Sequence, residues 1–140
     1  MDFVVGQRAT ITRTVSADDI AAFARLSGDY NPLHTDEEFA RRSRFGGRIA
    51  HGLLTASLLS TVLGMHLPGP GGIYLSQTLR FLKPVRIGDV LTAAAEVTVF
   101  DPERRRLTLR TTCTNQHTEA VLEGEAVMLV DAAAGSAVSG

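Results

Sequence analysis

Two hydrophobic periods divide this chain. Up to about residue 67 the apolar residues recur mainly at helical spacing, and beyond residue 72 they recur at every second position. One short segment breaks the first rule: Ile11, Arg13 and Val15 alternate, which predicts a strand from Gln7 to Val15. Ser16 then opens a helix, because Ser16-Ala17-Asp18-Asp19 sets a capping hydroxyl three residues before an acid. Ile20, Phe23, Ala24 and Leu26 form its expected buried stripe, and Gly28 stops it. Asp36 can cap a short helix that runs through Ala40, and Arg41 to Gly47 reads as a basic loop. From His51 to Leu67 apolar and small residues cover most of a helix circumference, with no Asp, Glu, Lys or Arg. Such a helix, about 25 Å long, is expected to be surrounded by protein. Pro68-Gly69-Pro70-Gly71-Gly72 ends it. Four alternating stretches follow. Ile73, Leu75, Leu79 and Phe81 are expected on one strand face, then Leu91 to Val99, Leu107 to Cys113 and Val121 to Val130. Short turns between them predict an antiparallel meander. An apolar helix followed by such a sheet is buried most economically when the sheet curls around it, so the fold class is α+β.

Composition narrows the partners. The 140 residues suit a single domain, taken as 1–131, with an aperiodic alanine-rich tail at 132–140. A hydrophobic content of 44% and a net charge of −1 describe a soluble globular chain, with no sign of a nucleic-acid or membrane-surface partner. Cys113 is the single cysteine, so no internal disulfide forms, and the four histidines lack metal-ligand spacing. No metal or other cofactor is expected. The start of the chain lacks a secretory pattern, and Leu53 to Leu67 is too short and too often polar to span a bilayer, so a cytoplasmic location is expected.

Candidate chemistry concentrates in Gly28-Asp29-Tyr30-Asn31-Pro32-Leu33-His34. Gly28 tolerates a left-handed backbone, and Pro32 pushes Asn31 towards an extended one. Asp29 and His34 therefore project from an ordered loop rather than from one helix face. A carboxylate and an imidazole held together can divide proton removal and delivery near neutral pH. The same residues also make an ordinary turn, in which Asp and Asn cap their own backbone and His34 satisfies a carbonyl. On these seven residues alone the two readings stand level.

Three blocks shift that balance. Phe23 to His34 resembles the hydratase-2 motif of (R)-specific enoyl-CoA hydratases, in the MaoC-like dehydratase group. Ile49-Ala50-His51-Gly52-Leu53-Leu54 resembles that family's second block, at the start of its central helix. Ile73 to Phe81, with Pro84-Val85 and Gly88-Asp89, is similar to its third, and the likeness runs from Ser16 to Val130. The resemblance implies the hot-dog fold, an antiparallel sheet wrapped around a long central helix. It also implies reversible syn hydration of trans-2-enoyl-CoA to (R)-3-hydroxyacyl-CoA, as in the short hydratases that feed polyhydroxyalkanoate synthesis.

On that resemblance Asp29 and His34 are the catalytic pair, Asp29 as base towards water and His34 as the group that holds the water and returns a proton to C2. Gly52 stands where a helix leaves N–H groups unpaired at its positive end, which suits an oxyanion hole. Asn31 either orients the pair or simply makes an Asx turn. Ser60 matches a family position whose hydroxyl faces the site, although a mid-helix serine usually bonds its own helix. Leu63 and Met128 are placed near the acyl chain by family analogy. His51 is expected to pack or cap, and His66 and His117 to be structural or exposed. Arg104-Arg105-Arg106 reads as a solvated charge run with CoA phosphates as the alternative, and Arg80, Lys83 and Arg86 are comparable candidates. The family pairs two hot dogs edge to edge, so a homodimer is expected.

Two other readings remain at this stage. A hot-dog acyl-CoA thioesterase commonly carries an acid on the central helix, and Gly52 to Leu67 has none. A non-catalytic acyl-thioester binder, or the silent subunit of a heteromeric dehydratase, typically lacks the Asp or the His.

Overall fold

The computed structural model describes residues 2–131; the tail expected at 132–140 lies outside the described residues. The chain forms β1 (Arg8–Thr14), α1 (Ala17–Ser27), α2 (Pro32–Thr35), α3 (Glu37–Arg41) and α4 (Gly52–Met65). It continues through β2 (Ile73–Gln77), β3 (Arg80–Phe81), β4 (Val90–Asp101), β5 (Arg106–Thr114) and β6 (Ala120–Leu129). All the strand pairings are antiparallel, in the order β1-β4-β5-β6-β2, and β3 also pairs with β6.

The meander follows the alternation in the sequence. Leu91, Ala93, Ala95 and Val97 on β4 and Leu107, Leu109, Thr111 and Cys113 on β5 are all buried. The register aligns them in rows across the sheet, such as Val97 opposite Leu109 and Leu109 opposite Ala126. Helix α4 lies against β4, β1 and β5. The small side chains of Ala93 and Ala95 let it approach closely while Leu59, Val62 and Leu63 fill the space between. Burial pushes the Cys113 thiol up to about 12, so this core residue supplies no thiolate near neutral pH.

Three expectations change. Helix α4 is not enclosed on all sides within one chain: Leu53, Ser57, Ser60 and Gly64 lie on a solvent-facing stripe, with Leu53 at 59% exposure. Periodicity did not show this, because the polar residues on the open side are only Ser57, Ser60 and Thr61, with no charged residue to mark it. Leu26 is also exposed, at 85%, and the inner stripe of α1 is Ile20, Phe23 and Ala24.

The third change concerns the first strand after α4, which is interrupted into β2 and β3. Tyr74 pairs with Met128 but Ser76 with Val127, so Leu75 is an extra residue in the ladder. That bulge shifts the alternation by one, and positions of equal parity before and after it face opposite ways. The interruption itself rests on Gly124, where an added Cβ would come within 1.8 Å of the Thr78 carbonyl oxygen. Thr78 donates its N–H to the Glu125 carbonyl and accepts the Glu125 N–H on its hydroxyl.

Candidate active site

The site begins where α1 ends. Gly28 takes the left-handed conformation, φ 82°, and its N–H closes the helix on the Ala24 carbonyl at 2.8 Å. The chain then folds through local side-chain bonds. Asp29 donates its N–H to Ser27 Oγ at 3.1 Å, and Asp29 Oδ1 accepts the Asn31 N–H at 3.0 Å. Asn31 Oδ1 accepts the Leu33 N–H at 3.0 Å and caps α2, whose first residue is Pro32. His34 therefore stands on one helical turn rather than in a loop, while Asp29 precedes it in the connection.

Tertiary contacts complete the arrangement. His34 Nδ1 lies 2.8 Å from the Ile49 carbonyl oxygen. A carbonyl only accepts, so Nδ1 carries the hydrogen and Nε2 is left for chemistry. His51, just before α4, packs face to face on His34 with ring centroids 3.9 Å apart and planes at 29°. Its Nε2 lies 3.0 Å from the Asp29 carbonyl oxygen. One polar atom each from Asp29, His34 and His51 lies within 4.8 Å of the others. The trio is a poor metal cage, because nearly parallel imidazoles do not converge their in-plane lone pairs on one ion about 2 Å away.

These groups line a cavity of about 660 Å³ at the N-terminus of α4. Phe23, Phe45, Ile49, Phe81, Leu82 and Val121 make up much of its apolar wall. Gly52, the first residue of α4, also lines it. The Phe81 ring packs so closely there that a Cβ on Gly52 would lie 2.7 Å from it. Amides in a first helical turn lack intrahelical partners and sit at the positive end of the dipole. An acid and an imidazole thus share one apolar cavity with the donors of a helix start.

The other sequence candidates separate. Asn31 is exposed and does not line the cavity; its side-chain oxygen is taken by the Leu33 amide, so the Asx-turn role is the one seen. Ser60 is exposed on the open stripe of α4, about two turns from the helix start, and lies outside the cavity lining. Leu63 and Met128 are buried in the core, and neither lines the cavity. His51 lies at the N-cap position, but its side chain makes no cap bond; it packs and reaches back to Asp29.

The basic candidates separate as well. Lys83 lines the cavity and pairs with Glu119, which holds that carboxyl below its ordinary range. Arg80 pairs with Glu123 at 3.6 Å, while Arg86 lies outside the lining. The Arg104–Arg106 turn belongs to the far end of the sheet: Arg106 is opposite Leu129, whereas Phe81 at the cavity is opposite Leu122. Among the lining residues not singled out in the sequence, Arg44 and Thr55 are polar. Arg44, stacked 5.7 Å over Phe45, sat in a loop read only as basic. Thr55, buried with its hydroxyl unpartnered, was legible as one helical turn beyond His51.

Fold and site together define a hot-dog protein with a carboxylate and an imidazole beside the start of its central helix. Comparison with known proteins gives it a family. The profile of the MaoC-like domain matches residues 4–121, and the chain belongs to that family. It is 50% identical over 129 residues to the 3-hydroxybutyryl-CoA dehydratase of Methylorubrum extorquens, covering 92% of this chain and 82% of that one. It is likewise 50% identical over 131 residues to the (R)-specific enoyl-CoA hydratase of Rhodospirillum rubrum, covering 94% and 90%. The solved (R)-hydratase of Aeromonas caviae, described as involved in PHA biosynthesis, superposes with a TM-score of 0.89 at 44% identity, covering 92% and 98%. No described helix is long and apolar enough to cross a membrane.

Proposed function

We propose that this chain is an (R)-specific enoyl-CoA hydratase, a hydro-lyase that adds water to trans-2-enoyl-CoA and removes it from (R)-3-hydroxyacyl-CoA. The observation that carries the reading is the convergence of Asp29, His34 and the Gly52 helix start on one apolar cavity. Relatives at 50% identity named as enoyl-CoA hydratase and hydroxybutyryl-CoA dehydratase support it.

The thioester oxygen lies against the Gly52 amide, and the acyl chain lies among the aromatic and aliphatic walls. Asp29, ionised, takes a proton from water as the water oxygen bonds to C3. The displaced electron pair moves through C2 onto the thioester oxygen, where the amide donors meet the new charge. His34, as the imidazolium, gives its Nε2 proton to C2 as the carbonyl reforms. Asp29 then returns its proton to His34 and the site is restored. Both groups approach from one side of the substrate, which makes the addition syn.

We also propose a homodimer. Strand β2 ends the sheet, and Ile73, Tyr74 and Leu75 on it are each more than 40% exposed. An unpaired apolar edge of this kind is relieved by pairing with a second copy.

Purified protein given crotonyl-CoA is expected to lose the enoyl absorbance without releasing thiol, and Asp29→Asn to lower the rate by about a hundredfold or more. Thiol release would point to a thioesterase instead. An unchanged spectrum would point to a non-catalytic binder, and wild-type turnover by the variant would remove Asp29 from the mechanism.

A further inference from the structure

Three polar side chains meet at the Asp29 end of the cavity, and the reaction above uses two of them. The third, His51, is 3% exposed and held on three sides. Its Nε2 meets the Asp29 carbonyl at 3.0 Å, one face stacks on His34 at 3.9 Å, and Phe23 lies 4.8 Å away at 53°. Because the carbonyl can only accept, neutral His51 is the Nε2–H tautomer. Its Nδ1 is buried with no partner. His51 thus has one committed donor, the Nε2–H.

Its place in the chain gives that ring a use. His51 directly precedes Gly52, so it moves with the helix start. Its bond to Asp29 spans 22 residues and ties the acid-bearing connection to α4. Asp29 is an exposed residue, and its carboxylate is restrained locally through the Asn31 N–H. The stack, with ring centroids 3.9 Å apart, also restrains the orientation of the His34 ring.

We propose that His51 is a positioning residue for the hydration reaction. Its Nε2–H bond to the Asp29 backbone and its stack under His34 hold the two proton-handling groups in register with the Gly52 amide. This rests on the hydratase reading above.

Two variants and one spectrum test it. His51→Phe keeps the ring stack and removes the donor, whereas His51→Gln can place an amide N–H near the position of Nε2. For His51→Phe, kcat on crotonyl-CoA is expected to fall about tenfold to a hundredfold with KM within about twofold, the pattern of misplaced catalytic groups. His51→Gln is expected to recover most of that loss. Phe at wild-type kcat, or Gln and Phe equally impaired, would overturn the proposal. Nitrogen-15 spectra of histidine-labelled wild-type protein read the tautomer directly, even where a variant does not fold. A proton on Nε2 is expected at His51, and an Nδ1–H tautomer would overturn the assignment. If the wild type does not hydrate crotonyl-CoA, the hydratase reading fails on its own account, separately from these outcomes.

Discussion

At the scale of single residues, Gly52 ties the proposed chemistry most directly to the structure. Its side has no room for a methyl group, because an added Cβ would lie 2.7 Å from one Phe81 ring carbon and 2.9 Å from another. The ring is 54% exposed and can swing aside, so Gly52→Ala is expected to fold. The displaced ring and the new methyl then occupy the path by which a thioester reaches the amide. We expect Gly52→Ala to lower kcat/KM by at least about tenfold, on the scale of losing an oxyanion donor, while Tm changes little. A thermal melt beside the crotonyl-CoA assay checks both halves. A large fall in Tm, or full activity, would count against this role for Gly52.

At the scale of elements, α1 aims the acid and is secured at its start. Ser16 Oγ accepts the Asp19 N–H at 3.1 Å, and Asp19 Oδ2 accepts the Ser16 N–H at 3.0 Å. Asp19 also pairs with Arg13 at 2.5 Å, which fastens α1 to β1. The Ser16 backbone bond is the main reason that the Asp19 carboxyl stays below its ordinary value of 3.8, with Arg13 helping. A carboxyl with a lowered folded-state pKa stabilises the fold above its unfolded value, and this contribution is lost as pH falls through the folded one. Stability is therefore expected to decline below about pH 4 in a way that Asp19→Asn flattens. Ser16→Ala is expected to cost about 1 kcal/mol at neutral pH. Urea titrations at several pH values measure both. An unchanged acid limb in Asp19→Asn would show that this carboxyl does not drive the loss.

At the scale of the whole molecule, the unfinished features share one side: the β2 edge and the solvent-facing stripe of α4. If a second copy covers them, a charge on the edge strand should prevent it, as lysine does on natural sheet edges. Leu75→Lys, at the bulge and 44% exposed in one chain, is expected to convert a dimer to a monomer in sedimentation, and a persisting dimer would place the interface elsewhere. The same scale separates what was legible in the sequence from what was not. Local physics determined the elements: the Ser16 cap, the Gly28 stop, the uncharged helix and the alternating strands each depend on neighbours a few residues away. The family blocks pointed to Asp29, His34 and Gly52, and these do line one cavity. Ser60 and Leu63, chosen by the same likeness, do not, because residues two turns and more along a helix from its start leave a cavity built at that start. His51 looked like a packing residue because its partners, Asp29 and His34, lie 22 and 17 positions away in the chain. Spacing along a chain specifies which way a side chain leaves its own element. Only the packing of α1, α2 and α4 decided which side chains from separate elements came within bonding distance.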